Sequence, residues 1–245
     1  MGFANEISGR VGERYSNVAY YFNLKKENEA LSRKNEELMN KLKQDYEPAD
    51  TAVAVIKDTI NRDTLGQPRK YIWKEARVVN NSVSLQNNYI TIHRGEKQGV
   101  TKDMGVISAS GLVGTIVNTS DNYSVVMSLL NRQTSVSVKM KKTGEVGKVQ
   151  WDGESPFYVT LTNVPKSVVI GKGDSVVTSG YSLRFPEGIL VGTVSEIVND
   201  QTSNFYIIKL KPATNFFNVS YVYVVDNLQK EEQRKLEEAT RKTNE

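Results

Sequence analysis

The chain of 245 residues contains no cysteine and only one histidine, His93. Without cysteine there is no disulfide, no cysteine-ligated zinc and no thiol nucleophile, and one histidine cannot build a multi-histidine metal site. No apolar run reaches the roughly 18 residues of a membrane span, and the first residues lack the features of a signal peptide. We expect either a soluble protein or one whose membrane anchor lies outside this sequence, with no cofactor.

A large excess of one charge is also missing. Lysine and arginine number 32 against 28 aspartates and glutamates, which leaves a net charge of +4. The basic residues are interleaved with acidic ones, whereas a nucleic-acid-binding protein clusters them on one face. We therefore do not expect nucleic acid as a partner.

A heptad pattern predicts one long helix over residues 13–47, which Pro48 ends. Leucines recur every seven residues, and a second set occupies the other inward position of the same heptads: Leu24, Leu31 and Leu38, then Tyr21, Asn28, Asn35 and Leu42. Asparagine at such a position costs stability but favours a two-stranded coil in one register. The narrow stripe favours a parallel dimeric coiled coil over a single helix that packs on its own domain, although the latter stays open.

From Tyr71 onward the sequence predicts only strands. Twelve short segments alternate with Gly, Asn and Asp turns: 71–80, 88–94, 104–109, 112–118, 123–130, 134–140, 145–151, 157–162, 174–178, 189–198, 204–211 and 219–226. Short strands at this spacing are typical of small barrels or sandwiches. We predict a mostly β chain with a helical segment (1–48), a linker (49–70), two six-stranded barrel-like domains (71–144 and 145–226), whose segments are open to exchange, and a charged tail (227–245), disordered or a frayed helix.

A repeated motif supports two related β-units. The stretch Gly111-Leu112-Val113-Gly114-Thr115 is echoed by Leu190-Val191-Gly192-Thr193, and each copy follows a glycine-rich turn and a short strand. Glycine allows tight turns and close backbone approach. We therefore predict structural rather than catalytic roles for the motif glycines and their neighbours: Gly95, Gly99, Gly111, Gly114, Gly173, Gly180, Gly188 and Gly192.

One stretch invites a catalytic interpretation. Gly173-Asp174-Ser175 resembles the nucleophile turn of chymotrypsin-like proteases, and His93 precedes it in the chain, as in that family. However, Val176 follows where a glycine is expected and begins a strand, and His93 lies at a strand end before a turn. A nucleophilic serine needs an assembled base and oxyanion donors. We therefore predict no enzymatic activity and keep a serine hydrolase as an alternative.

The loop that follows this stretch carries three large apolar residues, Tyr181, Leu183 and Phe185. Apolar residues in a long loop either fold back to cap a barrel or form an exposed contact for a protein partner. Both interpretations stay open, and the second makes these residues candidate partner contacts.

Several segments carry a resemblance to a known family: residues 88–92, 94–100, 111–114, 173–180, 185–188 and 191–192, of which Gly173-Asp174-Ser175-Val176-Val177-Thr178-Ser179-Gly180 is the most distinctive. Together with the upstream heptads, the region 71–226 resembles the rod shape-determining protein MreC family. The resemblance implies two barrels like those of chymotrypsin-like proteases, without a working triad and with no catalytic residues.

The resemblance also implies a place and a set of partners. Family members lie in the periplasm, or at the outer face of the cytoplasmic membrane, and are anchored by an N-terminal transmembrane helix that this sequence lacks. They dimerise through the coiled coil and assemble further. They scaffold cell-wall elongation with MreD, the actin-like MreB, a class B penicillin-binding transpeptidase and the elongation glycosyltransferase.

We therefore expect a non-enzymatic periplasmic scaffold that dimerises, binds or activates peptidoglycan synthases and maintains rod shape. A second alternative is a periplasmic adaptor of an efflux or secretion system, since those proteins also join a coiled coil to β-barrels. Adaptors usually insert a helical hairpin into a lipoyl-like motif, whereas only one helix precedes the β region here, which argues against that class.

Overall fold

The computed structural model describes residues 24–41, 69–198 and 203–243. Most of the predicted linker, together with Tyr21 and Leu42 of the heptad pattern, lies outside these residues. Within them, residues 24–39 are helical and are called α1 here. Among the described residues, no helix has both the length and the apolar character needed to cross a membrane.

The described β region contains a strand within or overlapping each of the twelve predicted segments. In chain order they are β1 (Tyr71–Asn81), β2 (Asn87–His93), β3 (Gly105–Ile107), β4 (Leu112–Thr119), β5 (Ser124–Asn131), β6 (Ser135–Met140), β7 (Val146–Gln150), β8 (Val159–Pro165), β9 (Ser175–Thr178), β10 (Leu190–Val198), β11 (Phe205–Pro212) and β12 (Tyr221–Asn227). In β6, Val136, Val138 and Met140 are buried between more exposed residues. This period of two is what a strand with one buried face requires.

The strands close into two antiparallel barrels, which confirms the predicted mostly β fold. The first barrel has the order β1-β12-β3-β4-β5-β2 and the second has the order β10-β11-β8-β7-β6-β9. Closure leaves neither sheet with a free edge, so neither barrel offers unpaired backbone groups to another strand.

The predicted boundary at residue 144 does not match the strand pairing. β6 pairs with β7 and β9 in the second barrel, whereas β12 returns to pair with β1 and β3 in the first. Hydrophobic alternation identifies a strand but not its neighbour, and pairing across the chain depends on contacts that no local pattern encodes. The chain therefore crosses between the barrels twice.

Each barrel is filled by aliphatic side chains from its own strands. Ile90, Ile116 and Val224 are fully buried in the strands of the first barrel, and Leu161 and Ile208 in those of the second. Burying one such side chain contributes about 1.5–3 kcal/mol relative to leaving it exposed. The barrel interiors are thus packed cores and not binding cavities.

The tail predicted as disordered or a frayed helix contains a regular helix, α2 (Lys230–Thr243). It has no glycine or proline, and its side chains pair along the helix, with Arg234 Nη2 2.7 Å from Glu231 Oε2 and Gln233 Nε2 2.9 Å from Glu237 Oε1. Such pairs stabilise a helix by a few tenths of a kcal/mol each. Of the two predicted alternatives, residues 230–243 therefore match the helical one, and the helix is largely exposed.

Candidate interaction surfaces

Helix α1 lies along the first barrel and contacts it through polar groups. Asn40 pairs with the backbone of Trp73 twice, because Nδ2 donates to the carbonyl oxygen at 3.1 Å and Oδ1 accepts from the amide at 3.0 Å. One turn earlier, Glu36 Oε1 accepts from the amide of Glu75 at 3.1 Å. These bonds use backbone groups at the start of β1 and fix the height of α1 along the strand.

The same face of α1 continues toward its N-terminal side. The buried Ser32 lies against Tyr223, whose hydroxyl donates to the Ser32 carbonyl at 3.3 Å. Burial raises the pKa of the Tyr221 phenol, and the neighbouring Glu29 carboxylate raises it further by its charge and by accepting a hydrogen bond. Residues 29, 32, 36 and 40 therefore form one polar ladder on the first barrel, at spacings that share a helix face.

The leucines of the heptad pattern lie outside this polar ladder and are partly exposed, although Leu24 and Leu38 also border hollows against the first barrel. Leu24, Leu31 and Leu38, called the leucine stripe here, are between 44% and 62% exposed. Asn28 and Asn35 are exposed as well. Packing of α1 on its own domain and a free apolar stripe thus coexist in one helix, and dimerisation through that stripe stays a prediction.

The loop of residues 179–189, called the inter-barrel loop here, reaches from the second barrel to the first. Phe185 is only 2% exposed, and a Cβ at Gly105 of β3 would lie 2.6 Å from its ring. Asn227 Nδ2 donates to the Leu183 carbonyl at 3.1 Å, and Arg184 Nη2 lies 3.2 Å from Asp103 Oδ1. The loop therefore fastens the two barrels together.

This geometry corrects the list of candidate partner contacts. Phe185 is buried between the barrels and is not available to a partner, and Leu183 is half-buried. Tyr181, by contrast, is 80% exposed and borders a hollow of about 480 Å³ that Lys148, Asn163 and Arg184 also line. Of the three predicted residues, only Tyr181 presents most of its side chain to a partner.

Two of the predicted structural glycines show why glycine is needed. A Cβ at Gly111 would lie 2.2 Å from the carbonyl oxygen of Leu190, so a side chain there would push the barrels apart. Gly180 has a φ of 81°, in the left-handed region that favours glycine. Neither position carries a functional group, in keeping with a structural role.

The residues of the hydrolase alternative are not assembled. His93 ends β2 in the first barrel and stacks on Tyr123, with ring centroids 4.9 Å apart. Ser175 begins β9 in the second barrel, opposite Thr193 of β10, and no hydrogen bond of the described chain joins it to His93. Residues 24–41, 69–198 and 203–243 also contain no group of three or more His, Asp or Glu side chains placed to hold a metal ion.

The chain forms two closed barrels, joined by two crossings of the chain and flanked by a helix. This is a double-barrel protein whose candidate functional residues lie on its surface and not inside the barrels. Residues 78–226 match the family model described as rod shape-determining protein MreC, barrel core. The chain therefore belongs to the MreC family, which confirms the resemblance in the sequence. This family is not that of the efflux adaptors considered above.

Curated relatives agree with this family. The chain is 32% identical over 152 residues to the cell shape-determining protein MreC of Haemophilus influenzae, which covers 62% of this chain and 43% of the relative. It is 29% identical over 161 residues to MreC of Bacillus subtilis, covering 62% and 56%. The chain thus spans about half the length of the curated relatives it matches.

Solved structures share the fold. MreC from Listeria monocytogenes is 26% identical with a TM-score of 0.59, covering 89% of this chain and 94% of that one. MreC from Pseudomonas aeruginosa is 27% identical with a TM-score of 0.58, covering 62% and 97%. MreC from Helicobacter pylori, solved in complex with penicillin-binding protein PBP2, is 17% identical with a TM-score of 0.52, covering 65% and 99%. At that identity the last likeness concerns the fold alone.

Sequence reasoning missed the polar ladder of α1. Ser32, Glu36 and Asn40 recur every four residues, a spacing that places them on one helix face. That signal was present, but polar residues at helical spacing usually mark a solvated face. The structure is needed to show that this face forms hydrogen bonds with groups of β1 and β12.

Proposed function

We propose that this chain is a non-enzymatic scaffold of the cell-wall elongation machinery that maintains rod shape from the periplasmic side of the cytoplasmic membrane. Membership of a cell shape-determining family supports this role. The observation that carries it is a helix that is hydrogen-bonded to the first barrel on one face and carries the exposed leucine stripe on another. Such a helix can hold two copies together while each copy presents its own barrels. An N-terminal membrane anchor preceding α1 belongs to this proposal.

The proposed mechanism is dimerisation followed by capture of synthases. In a parallel two-stranded coil, the leucine stripe forms the seam and the exposed Asn28 and Asn35 set its register. A dimer presents two pairs of barrels, and a synthase that binds them better in its active arrangement has its population shifted toward that arrangement. Assembly beyond the dimer, and contacts with MreD, MreB and the elongation glycosyltransferase, are further parts of the proposal.

Dimerisation is tested by the mass of the protein in solution. We expect residues 1–245 to show about twice the chain mass of 27.5 kDa by light scattering at high concentration. Replacing Leu24, Leu31 and Leu38 together by lysine places like charges in the seam, so the variant should be monomeric with an unchanged circular dichroism spectrum. Leu236→Lys, which changes an exposed leucine on α2, serves as the matched control and should stay dimeric.

Two results would contradict this proposal. One is a wild-type protein that stays monomeric over the whole concentration range. The other is a triple variant with the mass of the wild type, which would mean that the barrels associate without the helix.

The proposed synthase partner is a class B penicillin-binding transpeptidase. Support comes from the Helicobacter pylori relative, whose structure was solved in complex with PBP2. We propose Tyr181 as a contact, since a largely exposed aromatic ring beside a hollow is the kind of group that anchors protein interfaces.

Tyr181→Ala tests that contact. We expect the affinity for the purified extracytoplasmic part of the transpeptidase to fall by about tenfold or more, as for an interface anchor. Biolayer interferometry measures it, and Tyr123→Ala, which removes an exposed tyrosine from the first barrel, is the control. Equal affinities of wild type and Tyr181→Ala would remove the contact from the proposal while leaving the partner in place.

A further inference from the structure

A second aromatic surface lies where the two barrels meet. Phe157, in the connection from β7 to β8, and Phe217, in a one-turn helix (Phe216–Asn218) before β12, stack with ring centroids 5.2 Å apart. The two rings are 60% and 54% exposed. The stack therefore joins the second barrel to the segment that enters the first, yet it leaves more than half of each side chain in water.

The stack forms one wall of a hollow of about 370 Å³. Pro156, Pro212 and Ala213 supply further apolar walls, and Lys211 is the one charged residue that lines it. No ion pair of the described residues uses Lys211. We call this surface the Phe157–Phe217 patch. Exposed apolar surface with a polar margin is typical of sites that bind other proteins.

The polar groups of the patch show which class of ligand fits. Asn215 Oδ1 accepts from the amide of Phe217 at 3.1 Å, and Thr214 Oγ1 donates to the carbonyl of Leu112 at 2.9 Å. Because these groups are already used within the chain, few remain to recognise the hydroxyls of a sugar. A nucleic acid needs several cations, whereas this hollow has one. An apolar protein segment is the class that remains.

The positive charge of Lys211 indicates further which kind of protein segment would bind the patch. A carboxylate next to the apolar anchor would pair with Lys211, whereas a two-fold contact between copies of this chain would place two Lys211 side chains in one apolar interface. We propose that the Phe157–Phe217 patch binds a protein segment that presents a large apolar side chain beside an aspartate or glutamate. This inference is independent of dimerisation through α1 and of the contact at Tyr181.

A random-peptide phage selection tests the patch directly. The full chain is the target, and the double variant Phe157→Ser, Phe217→Ser serves for counter-selection. Both rings are largely exposed, so the variant should keep the wild-type circular dichroism spectrum and thermal transition. We expect the enriched peptides to carry Trp, Phe or Leu within two positions of Asp or Glu.

Affinities of one enriched peptide then separate the two parts of the proposal. By fluorescence polarisation, binding should weaken about tenfold or more in the double variant and about two- to fivefold in Lys211→Gln, the range expected for one exposed ion pair. Tyr181→Ala, outside the patch, should bind as the wild type does.

Four results would overturn the proposal. They are an absence of enrichment over the counter-selection, enriched peptides of basic character, equal affinity for wild type and the double variant, and self-association in solution that the double variant abolishes while the leucine stripe is intact. The last would identify a second copy of this chain as the occupant.

Discussion

At the scale of single residues, Tyr181 and Phe185 show how neighbours in one loop can have different roles. Four positions apart, one is almost fully exposed and the other is buried against Gly105. Both are aromatic residues in the same loop, so the sequence alone makes each an equally good candidate for a partner contact. The sequence therefore predicts that the loop matters but not which side chain faces the solvent, because that depends on the approach of the first barrel.

Phe185→Ala tests the buried role. Removing a buried ring and leaving a cavity typically costs about 3–5 kcal/mol, so we expect the free energy of unfolding to fall by that amount in urea titrations followed by tryptophan fluorescence. Tyr181→Ala, in the same loop, should change it by less than about 0.5 kcal/mol. Equal effects of the two substitutions would contradict the packing described for Phe185.

At the scale of elements, the strands could be predicted and the helices only in part. Segments such as Ser135–Met140 alternate buried and more exposed residues, so their local pattern identifies them. The heptads identify α1, but its docked face is mostly polar and adds Met39 to the apolar core, which is too little for a hydrophobic pattern. Helix α2 was predicted only as the alternative to a disordered tail, since it has almost no apolar face and depends on side-chain pairs such as Arg234–Glu231.

We expect the burial of Tyr221 on β12, together with its contact to Glu29 of α1, to make stability depend on pH. The pKa of Tyr221 is raised in the folded chain by burial and by Glu29, so the folded state holds this proton more tightly than the unfolded state. The contribution is complete below the unfolded pKa of about 10 and is lost as the pH rises through the folded pKa. We therefore expect the free energy of unfolding to decline above about pH 10.

Tyr221→Phe isolates this effect from the other tyrosines and lysines, which also titrate there. The variant has no phenolic proton to lose, so its stability should decline less steeply in the same alkaline range. Urea titrations across that range measure both slopes, and Tyr158→Phe, in the second barrel, is the control. Identical slopes for wild type and Tyr221→Phe would show that the Tyr221 phenol has no part in the alkaline decline.

At the scale of the whole molecule, the arrangement of the barrels follows from close approach at glycines. Gly105 lies under Arg184 and Phe185, and Gly111 lies under Leu190. The repeats predicted a structural role for Gly111 but not for Gly105, which lies within β3. The sequence left open whether β6 and β12 belong to the first or the second barrel. Strands far apart in the chain pair as each barrel closes, and no local pattern specifies that pairing.

Gly105→Ala should loosen the join between the barrels. Its Cβ would lie 2.3 Å from the Arg184 carbonyl oxygen, so the inter-barrel loop must shift. We expect a lower unfolding temperature and a larger radius of gyration by small-angle X-ray scattering. Gly171→Ala is the matched control, because its Cβ would meet nothing closer than 3.7 Å, and it should leave the radius unchanged. An unchanged radius in Gly105→Ala would contradict the role given to this loop.

The polar ladder of α1 also has a mechanical consequence. Its bonds from Ser32, Glu36 and Asn40 are spaced about one helical turn apart along α1 and end on β1 and β12. Tension along the helix axis therefore loads them together, in shear, and not one after another as in peeling. The load passes into the first barrel, in which β1 and β12 are adjacent. A partner held on the second barrel would therefore receive a force applied through α1 only by way of the inter-barrel loop and the two chain crossings between the barrels.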